Sequence, residues 1–363
     1  MTAHPTTDPA AGPVPAAGAR TLMPAESAPH ERTWMAFPTA NATFGEEGSP
    51  SLADARRAWA GIAAAVVRHE PVSVLVAPQD AAAAREALDP RVVLHQVPLD
   101  DAWLRDSGPT FVRAGDRVEA VDWVFNGWGQ QSWAAWERDA RLARRVADLA
   151  GVAVRCSDLV QEGGGFHVDG QGTVLLTETV QLDPDRNPGW TKERVEAEVH
   201  ARLGTSAAIW LPRGLTADYG EFGTRGHVDI VATFLRPGVV AVHTQTDPGH
   251  PDHAVSAEVT EILRQAVDAR GRRLQVVELL APLTTEVDGE LVDFSYVNHY
   301  VGNGFVALCA FDDPRDAAAA AVLAEAYPGR RIEPVDARDV FRFGGGVHCT
   351  TQQQPAAPAG PRN

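Results

Sequence analysis

Cys349 is the residue best placed to do covalent chemistry. It follows Gly344-Gly345-Gly346, whose missing side chains leave a thiol uncrowded, and precedes the polar run Thr350-Thr351-Gln352-Gln353. Cys309 sits instead inside the apolar run FVALCAF and reads as core, and Cys156 reads as an inert cysteine at a strand end. A thiol nucleophile needs acid–base partners that are adjacent in space rather than in sequence. Candidate partners are Asp106, Glu162, His167, Asp169, His227, Asp229 and the adjoining His348. The Gly triplet is not a phosphate loop, because no Lys-Ser/Thr follows it.

Each of these residues also has a bland reading. His227-Val228-Asp229, if extended, puts His227 and Asp229 on one face of a strand, where one could move protons and the other grip a cation; equally, they could be polar residues of a half-exposed strand. The pairs 167/169 and 227/229 could supply mixed nitrogen and oxygen ligands. Neither has His-Glu-x-x-His spacing and no third set stands out, so no metal is expected. Asp106 lies in Trp103-Leu104-Arg105-Asp106-Ser107-Gly108-Pro109, where it could cap a turn, Arg105 could merely pair with it, and Trp103 could be core. Glu162 opens a Gly-rich turn and could be a cap as well.

Positioning these groups requires a scaffold, and the chain repeats one unit. Trp103–Trp123, Glu162–Glu178, Gly226–His243 and Ser295–Phe311 each read as a polar cluster, a short strand, a Gly turn and an apolar strand, that is, a hairpin. Phe343–Gln353 supplies the first half of a fifth. The starts, near 106, 162, 226, 295 and 344, are 56, 64, 69 and 49 residues apart, which leaves room for one helix between hairpins. Helical spacing of apolar residues marks 52–69, 132–149, 191–203, 253–270 and 315–327, and Val72–Ala77 reads as a buried strand. Five such units suggest a closed, pseudo-symmetric array with the polar ends on one axis; an ordinary mixed sheet with repeated hairpins is the alternative.

Composition narrows the partners. With 32 Lys+Arg against 48 Asp+Glu the formal charge is 32 − 48 = −16, which disfavours binding to a nucleic-acid backbone and suits a cationic or neutral ligand. At 44% hydrophobic the chain can build a core, and no run of about 20 apolar residues marks a membrane span. Three cysteines give no disulfide framework, and no charged segment followed by an apolar one opens the chain, so a cytoplasmic setting is expected. A length of 363 residues suggests two domains, but the repeats point to one, over 21–355, flanked by disordered tails at 1–20 and 356–363. A homo-oligomer is compatible with all of this.

In these stretches the chain resembles the agmatine deiminases, members of the guanidino-group-modifying (pentein) superfamily related to bacterial-type peptidylarginine deiminases. The residues that carry the resemblance are DAWLRDSGPTFV (Asp101–Val112), VDWVFNGWG (Val121–Gly129), EGGGFHVDGQGTVLLTE (Glu162–Glu178), GHVD (Gly226–Asp229) and GGGVHCTTQQQP (Gly344–Pro355). The resemblance implies a five-bladed α/β propeller of ββαβ modules, with the strand near Trp34–Pro38 completing the blade that the C-terminal segment begins. It implies Cys349 as nucleophile, Asp106 and Asp229 as holders of a guanidinium, His227 as acid and base, and Glu162 as the partner that orients His227, with Trp103 beside the substrate. The implied reaction is hydrolysis of agmatine to N-carbamoylputrescine and ammonia, with a small cationic guanidino compound as sole ligand and no cofactor. Amidino transfer to an amine, passive binding of a cation, and a guanidine metallohydrolase are the competing readings, the last without its Asp-rich motifs. The chain departs from the family at Arg225, where Asn is usual, at Ile230 after Asp229, and at Gly346. An Arg near the substrate tail could select a carboxylate or neutral group, unless it faces solvent or pairs with Glu221.

Overall fold

The computed structural model describes residues 21–358, so the expected tail at 1–20 and the last five residues of the expected C-terminal tail lie outside the described residues. Ala356, the first residue of that tail, is bound: its N–H donates to Pro29 O at 2.8 Å, and its carbonyl accepts from Arg113.

The chain is a mixed α/β fold in which one supersecondary unit recurs five times. Thr110–Ala114 and Arg117–Val124 pair antiparallel, the helix Leu142–Ala150 crosses over, and Ala153–Val160 returns parallel to the second strand. The same order is built by Phe166–Val168, Thr173–Thr177, helix Lys192–Leu203 and Ala207–Leu211. It recurs in Ala232–Arg236, Val239–Thr244, helix Asp252–Gln265 and Gln275–Leu280. A fourth unit is Tyr300–Gly302, Phe305–Ala310, helix Asp316–Ala326 and Arg331–Asp336. The fifth joins the two ends of the chain. Gln352–Pro355 pairs antiparallel with His30–Ala36, and helix Pro50–Val66 leads to Val72–Val76, which Val93–Gln96 extends.

Local chemistry explains the unit. Each hairpin turns on a glycine with positive φ (Gly115, Gly172, Gly238, Gly304), the backbone region that side chains avoid. Helix Pro50–Val66 starts on Ser49, whose Oγ accepts from Leu52 N at 3.2 Å, with Pro50 fitted to the first turn. It buries Leu52, Trp59, Ile62 and Val66 on one face. Helix Lys192–Leu203 is capped by Thr191 and stopped by left-handed Gly204.

Two helices are shorter than their periodicity predicts. The expected helix over 132–149 is regular only from Leu142 to Ala150. Upstream, Gly127 to Gln130 all have positive φ, and Trp133 and Trp136 pack back on that run instead of lining a helix face. The expected helix over 253–270 stops at Gln265, because Asp268 Oδ1 accepts from Arg270 N and Arg272 N and folds the chain into a tight loop. The 227–229 segment is not extended either: Val228–Ile230 is a single 3₁₀ turn. Cys156 lies within a strand rather than at its end, with its side chain exposed. Among the described residues no helix is long and apolar enough to cross a membrane.

Candidate active site

Four of the residues singled out in the sequence stand in one structural place, a short turn just ahead of the first strand of a unit. Asp106 lies in the turn Leu104–Ser107, Glu162 caps the turn Gly163–Gly165, Asp229 lies in Val228–Ile230, and Cys349 lies in Val347–Thr350. The fourth unit has a turn there too, closed by Asn298 N–H to Ser295 O, and it presents Asn298. A helical turn compresses the chain, so one or two side chains can be aimed past the end of the strand that follows.

Gly164 shows how closely these groups approach. A Cβ added there would lie 2.5 Å from His227 Nδ1 and 3.0 Å from both Asp106 Oδ1 and Asp229 Oδ2. The three side chains therefore share one point above a glycine. Asp106 Oδ1 accepts the Gly164 N–H at 3.0 Å, and its Oδ2 accepts the Trp128 indole N–H at 2.9 Å. Burial pushes the Asp106 carboxyl up, and nearby Asp229 and Glu162 push the same way, against the pull of His227.

His227 is buried between carboxylates. Its Nε2 lies 3.3 Å from Glu162 Oε2, and its Nδ1 lies 3.8 Å from Asp106 Oδ1 without a hydrogen-bond partner. Burial opposes its charge, yet Asp106, Glu162 and Asp229 together outweigh it and raise the imidazole to about 9. Glu162 is held at about 2: burial works against its charge, but Arg186 and His227 more than compensate. Arg186 Nε reaches both Glu162 oxygens, at 3.0 and 3.1 Å, and its other nitrogens reach Asp183 Oδ2 at 2.9 Å and Thr224 O at 2.7 Å. A buried guanidinium so occupied is a fixed anchor for Glu162.

Cys349 Sγ lies 3.2 Å from Asn298 Nδ2 and 3.6 Å from Asp229 Oδ2. Burial, Asp229 and Asp106 push its thiol well above the ordinary range, a direction that favours the neutral form. Asp229 is the opposite case. Burial raises its cost of ionisation, but His348 Nδ1 at 2.7 Å more than offsets this and keeps the carboxylate low. Asp229 Oδ1 is buried with no partner among the described residues.

Trp103 packs on Trp59, with ring centroids 4.9 Å apart, and on the backbone of Gly345, where a Cβ would meet both its ring and Cys349 Sγ. It belongs to the core and walls the thiol at once. Arg225, at φ 68°, does not pair with Glu221. Its Nη1 reaches Asp185 at 2.9 Å and Asp183 at 3.3 Å. Cys309 is buried in a strand, His167 bonds to Thr233 and Phe234, and Asp169 caps the hairpin turn at Thr173, so these three stand outside the cluster. An open cavity of about 450 Å³ lies over helix Pro50–Val66 and is lined by none of the site residues.

Sequence reasoning missed four participants: Asn298, Arg186, Trp128 and Glu26, whose Oε2 lies 2.8 Å from His348 Nε2. Asn298 could have been found by position, since it sits at the same point of its unit as Asp106 and Asp229. The other three lie outside the hairpin starts and carry no repeat signal.

A buried thiol beside a carboxylate with a free oxygen, facing a charged imidazole and a second carboxylate, is suited to hold a planar cation and attack it. Against known proteins, residues 22–355 match the family of Porphyromonas-type peptidyl-arginine deiminases. A Streptomyces coelicolor protein, itself provisionally named an agmatine deiminase, is 60% identical over 335 residues, covering 92% of this chain and 98% of that one. The agmatine deiminase of Stutzerimonas stutzeri is 38% identical over 358 residues, covering 92% of this chain and 95% of that one. The solved structure of the Enterococcus faecalis agmatine deiminase superposes with a TM-score of 0.87 at 30% identity, covering 95% of this chain and all of that one.

Proposed function

The chain belongs to the Porphyromonas-type peptidyl-arginine deiminase family, and we propose that it hydrolyses agmatine to N-carbamoylputrescine and ammonia. The observation that carries this reading is the meeting of Asp106, His227 and Asp229 over Gly164, with the Cys349 thiol against Asp229. The agmatine deiminase names of its near relatives support the choice of substrate.

Asp106 and the free oxygen of Asp229 grip the guanidinium N–H groups by charge-assisted hydrogen bonds. This fixes the electrophilic carbon against Cys349 Sγ, which is catalysis by positioning. The cation neutralises the carboxylates that oppose thiol ionisation, the Cys349 thiol releases its proton to solvent as the cation enters, and the thiolate attacks to form a tetrahedral adduct. His227, charged at neutral pH, gives its proton to the departing ammonia, leaving a covalent thiouronium on Cys349. His227, now neutral, takes a proton from water. The hydroxide adds to the same carbon, the C–S bond breaks, and the ureido product leaves as Cys349 regains its proton. Glu162, clamped by Arg186, holds His227 in register throughout. Trp103 and the glycines at 344–346 shape the wall behind the sulfur.

Arg225 is already answered by Asp183 and Asp185, so no unpaired cation waits for a carboxylate tail, and this supports agmatine over guanidino acids. The five repeated units, closed by pairing of the two chain ends, support a five-bladed α/β propeller formed by one catalytic domain over 21–355. The test is the steady-state rate on agmatine, 4-guanidinobutyrate and free arginine, with ammonia and ureido product both measured. Preference for agmatine with equimolar products is expected. A better rate on a guanidino acid, or a new guanidine without ammonia, rejects the assignment.

A further inference from the structure

Behind Asp229 lies a second buried charge pair that the mechanism above does not use. His348 Nδ1 is 2.7 Å from Asp229 Oδ2, and its Nε2 is 2.8 Å from Glu26 Oε2. Both ring nitrogens thus face carboxylate oxygens, and only an imidazolium can donate at both. The rest of the cluster is fixed. The His348 N–H donates to Asn298 Oδ1 at 3.0 Å, and Glu26 Oε1 accepts the Val301 N–H at 2.7 Å. Arg105 Nη2 stands 3.8 Å from Glu26 Oε2. With Oδ2 of Asp229 occupied in this way, Oδ1 is the carboxylate oxygen of Asp229 left unpartnered among the described residues.

We propose that Glu26 and His348 are positioning residues that set the charge and orientation of Asp229, so that one carboxylate oxygen is tied and the other is presented to the substrate cation.

A metal is the rival explanation, since Glu26, His167 and His348 could bring ligand atoms within 4.8 Å of one another. The hydrogen bonds oppose it. His167 Nδ1 accepts the Phe234 N–H at 3.1 Å and its Nε2 is bonded to Thr233 at 2.9 Å, so neither nitrogen is free. Arg105 adds a cation to the same small cavity, about 10 Å³, which Glu26, His167 and His348 also line. The charged groups facing His348 are therefore Asp229, Glu26 and Arg105, with the His167 ring, held neutral by burial, tilted against it at 6.2 Å. Burial and Arg105 lower the imidazole, the two carboxylates raise it, and the carboxylates prevail.

The inference rests on the proposed deiminase reading, so its test has one arm that needs no substrate. Long-range nitrogen–proton NMR of the histidine rings in the free protein, assigned with His348→Asn, follows protonation with pH. His348 is expected to stay doubly protonated above the ordinary imidazole range in the wild type and to titrate at lower pH in Glu26→Gln. In the kinetic arm, E26Q and H348N are each expected to lower kcat/KM about tenfold to a hundredfold, the scale of one charge-assisted hydrogen bond. The double variant should lose no more than either single one, because the pair acts as a unit. The basic limb of the E26Q pH profile should move to lower pH. Should E26Q not fold, Glu26→Asp, which keeps the charge but draws it back, shifts the titration the same way by less. Unchanged His348 titration in E26Q, or multiplicative losses in the double variant, overturns the proposal. Absence of agmatine hydrolysis in the wild type with the NMR shift intact rejects the deiminase reading alone.

Discussion

Gly164→Ala should disable the site while leaving the fold in place. Gly164 does not adopt positive φ, so alanine meets no backbone penalty there, and the whole effect is steric. The new Cβ would stand 2.5 Å from His227 Nδ1, and ordinary contact begins near 3.4 Å, so the imidazole or the turn must yield by about 0.9 Å. The two carboxylate oxygens, at 3.0 Å, must yield by about 0.4 Å each. Overpacking of this kind costs roughly 1–3 kcal/mol of stability. Its effect on catalysis is larger, because misplacing a reacting group by about 1 Å costs on the order of 100-fold. We therefore expect kcat/KM for ammonia release from agmatine to fall about 100-fold, with a rise in KM because both substrate carboxylates are displaced. The control is Gly61→Ala in helix Pro50–Val66, where a Cβ would meet nothing within 4 Å; it should keep full activity and gain roughly 0.5–1 kcal/mol. A G164A enzyme retaining more than about a third of wild-type kcat/KM would refute the claim that His227, Asp106 and Asp229 are rigidly gathered over this glycine.

Three further outcomes follow from the same geometry. His227 is raised from 6.5 to about 9, so its contribution to stability is fully present below pH 6.5 and is lost as pH rises through 9; thermal denaturation from pH 6 to 10 should show that loss, reduced in Asp106→Asn, and a flat profile in the wild type would contradict the imidazolium assignment. Asn298→Ala removes the donor at 3.2 Å from Cys349 Sγ and should slow kcat about tenfold with little change in KM, read by steady-state kinetics, whereas unchanged kcat denies Asn298 a share in holding the thiolate. A cationic haloacetamidine should alkylate buried Cys349 and be blocked by agmatine, while neutral iodoacetamide should go first to exposed Cys156; mass spectrometry showing both reagents on Cys156 alone would count against the nucleophile.

The repeated unit was legible in the sequence because its parts are local. Alternating strands, a Gly turn and a helical stretch each leave a mark within a few residues. The helix over 132–149 misled because Trp136 reads in one pattern with Leu142, Val146 and Leu149 while serving a different surface, the left-handed run 127–130. The residues of the candidate site were legible where an unusual group stood at a hairpin start: Asp106, Glu162, Asp229 and Cys349. The structure moved Asp229 from a strand face to a single helical turn, which spacing alone does not reveal. Asn298 was passed over at the equivalent position because a neutral amide carries no titration signal. Glu26 lies 322 residues from His348 in the chain, and no local pattern connects them.

The electrostatics of the cluster suggest how one arrangement both activates the thiol and releases product. Glu26, Asp106, Glu162 and Asp229 face Arg105, Arg186, His227 and His348, so the resting site has its anions answered and no spare cation for a thiolate. Burial and the nearness of Asp229 and Asp106 accordingly push the Cys349 thiol up and favour its protonated form. On the proposed reading, agmatine brings the missing positive charge to those same carboxylates. A unit charge about 4 Å from the sulfur is worth roughly 4 kcal/mol at an effective dielectric near 20. Ionisation of the nucleophile is then tied to the presence of the group it must attack, and a thiolate does not stand exposed to oxidation between turnovers. Hydrolysis turns the guanidinium into a neutral urea, which withdraws that charge. Asp106 and Asp229 again oppose the thiolate, the sulfur regains its proton, and the product has lost the charge by which it was held.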